Sequence, residues 1–136
     1  MQFRFDANQE FQIRAIESVT DLFEGQPRVE TESAISHQPF ANFSVEMETG
    51  TGKTYVYIRT ALELYRRYGL RKFIVVVPSV AVREGVLKTL EITEKHLREL
   101  YGNAPYRYYV YDSDNLSQVR QFALSDGIEI MVMTID

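Results

Sequence analysis

The chain has 136 residues, enough for one domain with its own core. Hydrophobic residues make up 45% and charged residues 25%, and the formal net charge of -4 excludes a strongly basic nucleic-acid footprint overall, though not a local basic patch. With no cysteine, neither a disulfide framework nor a thiolate metal site can form. The N-terminal Met1-Gln2-Phe3-Arg4-Phe5-Asp6 lacks the apolar run of a signal peptide, and no stretch is long and apolar enough to span a membrane, so we expect a soluble cytoplasmic protein.

Asn8 or Asp6 can cap a first helix that runs to about Glu24, in which Phe11, Ala15, Val19, Leu22 and Phe23 recur at helical spacing until Gly25-Gln26-Pro27 stops it. Residues 25–40 are polar and read as a loop. Residues 41–47 alternate and read as a strand. A helix from about Lys53 to Tyr68 follows, with Val56, Ile58, Ala61, Leu62 and Tyr65 as its buried face and Gly69 at its end. Residues 73–77 are continuously apolar, as expected for a parallel strand covered on both faces, and Pro78 ends them. Ser79 starts a helical region to about Tyr101, with a possible break near Thr93.

Residues 106–111 are rich in β-favouring aromatics and make a third strand. Asp112-Ser113-Asp114 offers a cap for a helix whose face is Leu116, Val119, Phe122 and Ala123. Residues 128–133 form a fourth strand. The α, then repeated β-α, then β pattern predicts an α/β fold: a parallel sheet flanked by helices in three layers and joined by right-handed crossovers. The chain stops at Asp136, directly after that strand, which reads as a truncated domain, a fragment of a longer protein.

The sharpest chemistry lies in Met47-Glu48-Thr49-Gly50-Thr51-Gly52-Lys53-Thr54, which meets the phosphate-loop pattern G-x-x-x-x-G-K-[ST] except that Met47 replaces the first glycine. Gly50 and Gly52 let the backbone curl so that successive N–H groups face one concavity, and the helix starting near Lys53 adds its positive end. Lys53 can reach the β- and γ-phosphates of ATP, and the Thr54 hydroxyl can ligate Mg²⁺. The competing reading, a glycine-rich strand-to-helix turn with an incidental lysine, has to explain G-K-T in this context by chance.

The segment from Met47 to Thr54 resembles motif I of superfamily 2 helicases, which commonly place a small or apolar residue first. The run Val77-Pro78-Ser79-Val80-Ala81-Val82-Arg83-Glu84-Gly85-Val86, with Leu90-Glu91-Ile92-Thr93 beyond it, resembles the motif Ia region of type III restriction enzyme Res subunits. The resemblance covers nearly the whole chain. It implies a first RecA-like helicase domain spanning residues 1–136. ATP would bind at Gln12, Glu48, Thr49, Gly50, Thr51, Gly52, Lys53 and Thr54, with Mg²⁺ at Thr54 and with Lys53 and Thr54 serving hydrolysis.

Gln12 resembles the glutamine of a Q motif, which reads the adenine edge; an amide supplies the needed donor and acceptor. Gln9 is the alternative, and a polar residue on a helix surface is the plain one. Pro78, Ser79, Arg83 and Thr134 fall where motifs Ia and Ib contact a DNA backbone; the plain readings are a helix start, a solvated arginine and a strand-end threonine. The resemblance further implies double-stranded DNA as partner, a methyltransferase (Mod) subunit that supplies site recognition, and a separate nuclease domain. Motif II, a second RecA-like domain and the nuclease domain are not in these 136 residues, and Asp136 is not a safe substitute for the missing acid. The rivals are a P-loop ATPase unrelated to DNA and a non-catalytic nucleotide-binding module.

Other features carry less. His37 and His96 have no partner spacing for metal or acid–base work and read as a loop and a helix-surface histidine. The tyrosines of residues 106–111 read as sheet packing rather than base stacking. Arg66, Arg67, Arg71 and Lys72 complement a helix end, and Glu91, Glu94 and Glu99 form a solvated face.

Overall fold

The computed structural model describes residues 5–25, 44–48 and 50–135. Among the described residues the elements run α1 (Glu10–Thr20), a 3₁₀ turn (Asp21–Phe23), α2 (Lys53–Tyr68), β1 (Lys72–Val77), α3 (Val80–Leu100), β2 (Tyr106–Val110), α4 (Leu116–Leu124) and β3 (Ile128–Thr134). The strands form one parallel sheet in the order β1-β3-β2. The last strand in sequence is thus the central one, and Ile128 to Val132 are all buried. A parallel strand between two neighbours needs such an unbroken run, because both of its faces are covered.

The registers, Phe73 opposite Ile130 opposite Tyr108, put Phe73, Val75, Val77, Tyr106, Tyr108, Ile128, Ile130 and Val132 on one face. Onto that face pack Tyr55, Ile58 and Leu62 of α2 and Val86, Leu90 and Leu97 of α3. Full burial of side chains such as Ile58, Leu62, Leu90 and Leu97 contributes about 1.5–3 kcal/mol each. On the opposite face Phe122 of α4 meets Tyr109 edge-on, with ring centres 6.3 Å apart, and Lys72 Nζ stands 5.7 Å from the same ring. The α/β architecture is therefore three-layered, with α2 and α3 on one side and α4 on the other.

Several expectations are corrected. The described part of the expected first strand, residues 44–47, contains no strand; residues 41–43 lie outside the described residues. β1 is covered on one face only: Ile74 and Val76 are each 53% exposed, because β1 is an edge of the three-stranded sheet and α4 covers the other end of that face. The buried stripe of α1 is Gln12, Ile16 and Thr20, one residue on from the expected stripe, and Phe11 and Leu22 are exposed. Gln9 occupies its N-cap position, while Asp6 instead accepts from Asn8 N–H in a turn just before.

α3 does not break at Thr93. The Thr93 hydroxyl donates to Thr89 O, 2.6 Å away, so its polar group is satisfied within the helix. Ser79 caps α3 as expected, its Oγ accepting from Val82 N–H at 3.3 Å. In α4, Leu116 is exposed, and Asn115 takes the cap position while Asp112 accepts from Asp114 N–H. Gly69 ends α2 in the left-handed conformation, donating to Tyr65 O.

Glu129 is the one charged side chain of the central strand, and it is buried. Its cross-strand neighbour Arg107 donates to it from both Nε and Nη2. A buried carboxylate without that partner bears its full desolvation cost. Arg107→Met is expected to lower unfolding stability by about 1–3 kcal/mol, and adding Glu129→Met should recover most of the loss in urea titrations.

Candidate nucleotide site

Left-handed turns at Gly50 (φ 81°) and Gly52 (φ 80°) shape the loop that leads into α2. Any side chain at Gly52 would be strained by that φ, and its Cβ would also lie 2.9 Å from Gln12 Nε2. Between the glycines, Thr51 ties the loop in two directions. Its hydroxyl donates to Glu48 O at 2.6 Å, and its carbonyl accepts from Gln12 Nε2 at 3.0 Å. Val56 N–H then donates to Gly52 O at 3.0 Å, opening α2.

Gln12 is 7% exposed, so the surface-polar reading of it fails. One amide N–H serves the loop, and the amide oxygen and second N–H remain for a further partner. Lys53 is exposed at the first position of α2, and Thr54 is half-buried beside it. Among the described residues no carboxylate lies within salt-bridge distance of Lys53. The helix start therefore joins a positive dipole end to a cation, the chemistry that suits a polyphosphate. Thr49 lies outside the described residues.

The expected backbone-contact residues gather at one edge. Val77 pairs with Thr134, and Ile135 N–H donates to Val77 O, so Pro78 and Ser79 sit beside Thr134 at the C-terminal ends of β1 and β3. Pro78 and Ser79 are exposed. Arg83, one turn into α3, is partly covered, and its guanidinium reaches Glu84 Oε1 at 3.2 Å. A cavity along β1 is lined by Lys53, Thr54, Tyr57, Val77 and Val82 among others, so the loop and this edge share one end of the sheet. Ligands of open parallel α/β sheets bind at that end.

His96 is not a simple surface residue. Tyr55 Oη and His96 Nε2 lie 2.9 Å apart, and the Phe5 ring packs against both, 6.1 Å from Tyr55 and 5.2 Å from His96. Beneath them Arg59 donates to Ala7 O at 2.5 Å and to Tyr101 Oη at 3.3 Å, and Tyr101 donates to Glu63 Oε2 at 2.9 Å. Arg66 and Arg67 also hold Glu63, and Arg67 reaches Asp21 at 3.0 Å.

Burial pushes the Tyr101 phenol up to about 12, so it stays protonated and can donate to Glu63. Burial alone would raise Glu63, but hydrogen bonds from Arg66, Tyr101 and Arg67 outweigh it and hold the carboxyl below its usual range. No periodicity marks this set; only the pairing of α2 with α3 and of α1 with α2 assembles it. The tyrosines of β2 are sheet packing, with Tyr106 2% exposed. Arg71 and Lys72 donate to carbonyls of residues 125–127, and Glu91 and Glu94 pair with Lys88 and Arg98.

A glycine loop of this shape, opening a helix against a parallel three-layer sheet, defines a P-loop nucleotide-binding protein of RecA-like fold. The chain belongs to the type III restriction enzyme Res subunit family, whose sequence profile matches residues 7–136. It is similar to the type III restriction-modification enzyme StyLTI Res subunit of Salmonella typhimurium strain LT2, 49% identical over 65 residues, 46% of this chain and 7% of that protein. The EcoP15I Res subunit of Escherichia coli is 41% identical over 73 residues, 52% of this chain and 8% of that protein. The EcoPI Res subunit of Escherichia phage P1 is 37% identical over 90 residues, 65% of this chain and 9% of that protein. The matched segments thus span less than a tenth of each relative.

Burial and the Arg59 cation lower the pKa of His96 below 6.5, with Glu99 opposing them. The unfolded chain therefore takes up the proton first as the pH drops. Stability from this group is complete above the unfolded value and is lost as the pH falls through the depressed folded one. Thermal unfolding midpoints should decline from about pH 7 to about pH 5, and His96→Gln should flatten that decline.

Proposed function

We propose that this chain is the ATP-binding, first RecA-like domain of a DNA-dependent translocase, acting in the cytoplasm as part of a type III restriction-modification Res subunit. The observation that carries the reading is the anchored loop at Gly50 to Thr54. Carbonyls of Thr51 and Glu48 are taken up by Gln12 and Thr51, and Lys53 and the Thr54 hydroxyl, here hydrogen-bonded to the Tyr57 phenol, stand at the start of α2 to meet a nucleotide. Glu48 and Thr49 complete the loop's approach to the phosphates. Mg²⁺ held by the Thr54 hydroxyl would screen the phosphate charge; the half-buried position of that hydroxyl beside the exposed Lys53 fits the role. Among the described residues no cluster of three acidic or imidazole ligands offers a rival metal site.

Gln12, with its remaining amide groups, is the reader of the adenine edge on this proposal. Pro78, Ser79, Arg83 and Thr134 hold the backbone of double-stranded DNA. Ser79 caps α3 through its oxygen and so keeps its O–H as a donor, and the first N–H groups of α3 point the same way. Sharing one end of the sheet lets nucleotide-driven shifts at Lys53 and Thr54 reach that edge through Val77 and Val82. The names of the similar proteins support the restriction-modification setting; on this proposal DNA cleavage lies in a separate nuclease domain and a Mod subunit supplies site recognition. No helix among the described residues is long and apolar enough to cross a membrane.

Lys53→Ala is expected to abolish nucleotide binding in calorimetry, and Gln12→Ala to weaken ATP more than GTP. Equal losses for the two bases in the glutamine variant would remove the adenine role.

Residues 1–136 alone are expected to hydrolyse ATP poorly; within an intact Res subunit, duplex DNA is expected to stimulate ATP hydrolysis, and Ser79→Ala with Thr134→Val to reduce that stimulation several-fold while basal turnover holds. An ATPase indifferent to DNA would favour a P-loop ATPase unrelated to DNA, and binding without turnover a non-catalytic nucleotide-binding module.

A further inference from the structure

Gln12 meets the phosphate loop only because α1 is held against α2, and the hold is concentrated in a short strap. Residues 5–9 cross α2 and lead into α1, where Gln9 O accepts from the N–H groups of Gln12 and Ile13. Two contacts fasten the strap. The Phe5 ring lies nearly parallel to Tyr55, with a 10° tilt between ring planes, and also rests on His96. The Arg59 guanidinium donates to Ala7 O.

Arg59 is itself fixed from the other side, through Tyr101 at the end of α3, which also donates to Glu63. A partly buried guanidinium shared between a carbonyl and a phenol has few alternative positions. It therefore sets where Ala7 sits, two residues before Gln9 and five before Gln12, and with it the start of α1.

We propose that Arg59 is a positioning residue for base selection: by clamping the Phe5–Gln9 strap at Ala7 it sets the place of the Gln12 amide beside Thr51, and so tunes the preference for adenine over guanine nucleotides. The inference rests on the reading of Gln12 as the adenine contact. Arg59 does not touch the nucleotide. Its effect falls on base discrimination, since Lys53 and Thr54, which hold the phosphates, are the first residues of α2 itself, and the left-handed turns at Gly50 and Gly52 lead the loop directly into them.

The test is calorimetric titration of the full chain with ATP and with GTP, in the presence of Mg²⁺, for the wild type, Gln12→Ala, Arg59→Met and Phe5→Ala. Methionine keeps the apolar stem of Arg59 and removes the clamp. Phe5→Ala loosens the same strap from a residue outside the core, should Arg59→Met fail to fold. The expected result is that Gln12→Ala loses the preference for ATP and that the strap variants lower the ATP-to-GTP affinity ratio on the order of tenfold, with GTP affinity little changed.

Parallel losses for ATP and GTP in the strap variants would mark the clamp as merely structural and overturn the inference. An undiminished ratio in them, beside a Gln12→Ala that has lost its preference, would overturn the inference and leave the adenine reading standing. A Gln12→Ala that keeps the preference would overturn both.

Discussion

Two side-chain donors take up carbonyls of the loop before α2, and these contacts organise that end of the molecule. Thr51 O accepts from Gln12 Nε2 in a part-buried contact, and Glu48 O accepts from Thr51 Oγ1 at the surface. Left unmet in its part-buried place, Thr51 O would cost free energy comparable to a lost hydrogen bond. The donor for Thr51 comes from another helix, so this one contact joins α1 to the loop. Gly52 follows from the same contact, since the amide that satisfies Thr51 fills the space a Cβ would need.

The docking of α1 explains where the sequence was legible and where it was not. α2 was readable to its ends, because the glycines at 52 and 69 sit in left-handed turns that punctuate a regular helical pattern. β1, β2 and β3 were readable from apolar and aromatic runs. The face of α1 was misjudged because periodicity weighs only hydrophobicity. Gln12 and Thr20 are polar and buried, their cost met by hydrogen bonds: Gln12 to the loop, the Thr20 hydroxyl to Glu17 O, and Thr20 O from the Tyr68 hydroxyl. Phe11 scored as core and lies half exposed.

His96 was set aside for want of a ligand partner at short spacing; its partner Tyr55 is on another helix, 41 residues away. The Arg59, Tyr101 and Glu63 set was invisible for the same reason. Burial contacts between elements obey no local period, and a single sequence records only local periods. The glycine loop and the residues after β1 could be named in advance because their chemistry is written in consecutive positions. Their shared end of the sheet could not, as it follows from β3 lying between β1 and β2.

On the proposed function, that shared end also reconciles an acidic chain with a DNA partner. The net charge of -4 gives no broad electrostatic attraction, and the one arginine near the edge, Arg83, is already engaged by Glu84. What the edge offers is neutral: the Ser79 hydroxyl, the first N–H groups of α3, and Thr134 on the adjoining strand. Neutral donors to phosphates fix the register of a bound strand without releasing many counterions, so binding through them is less salt-dependent than binding through a basic groove. Such contacts are also easily made and broken. If the domain moves along DNA as proposed, contacts of this kind serve release in each cycle better than a row of ion pairs.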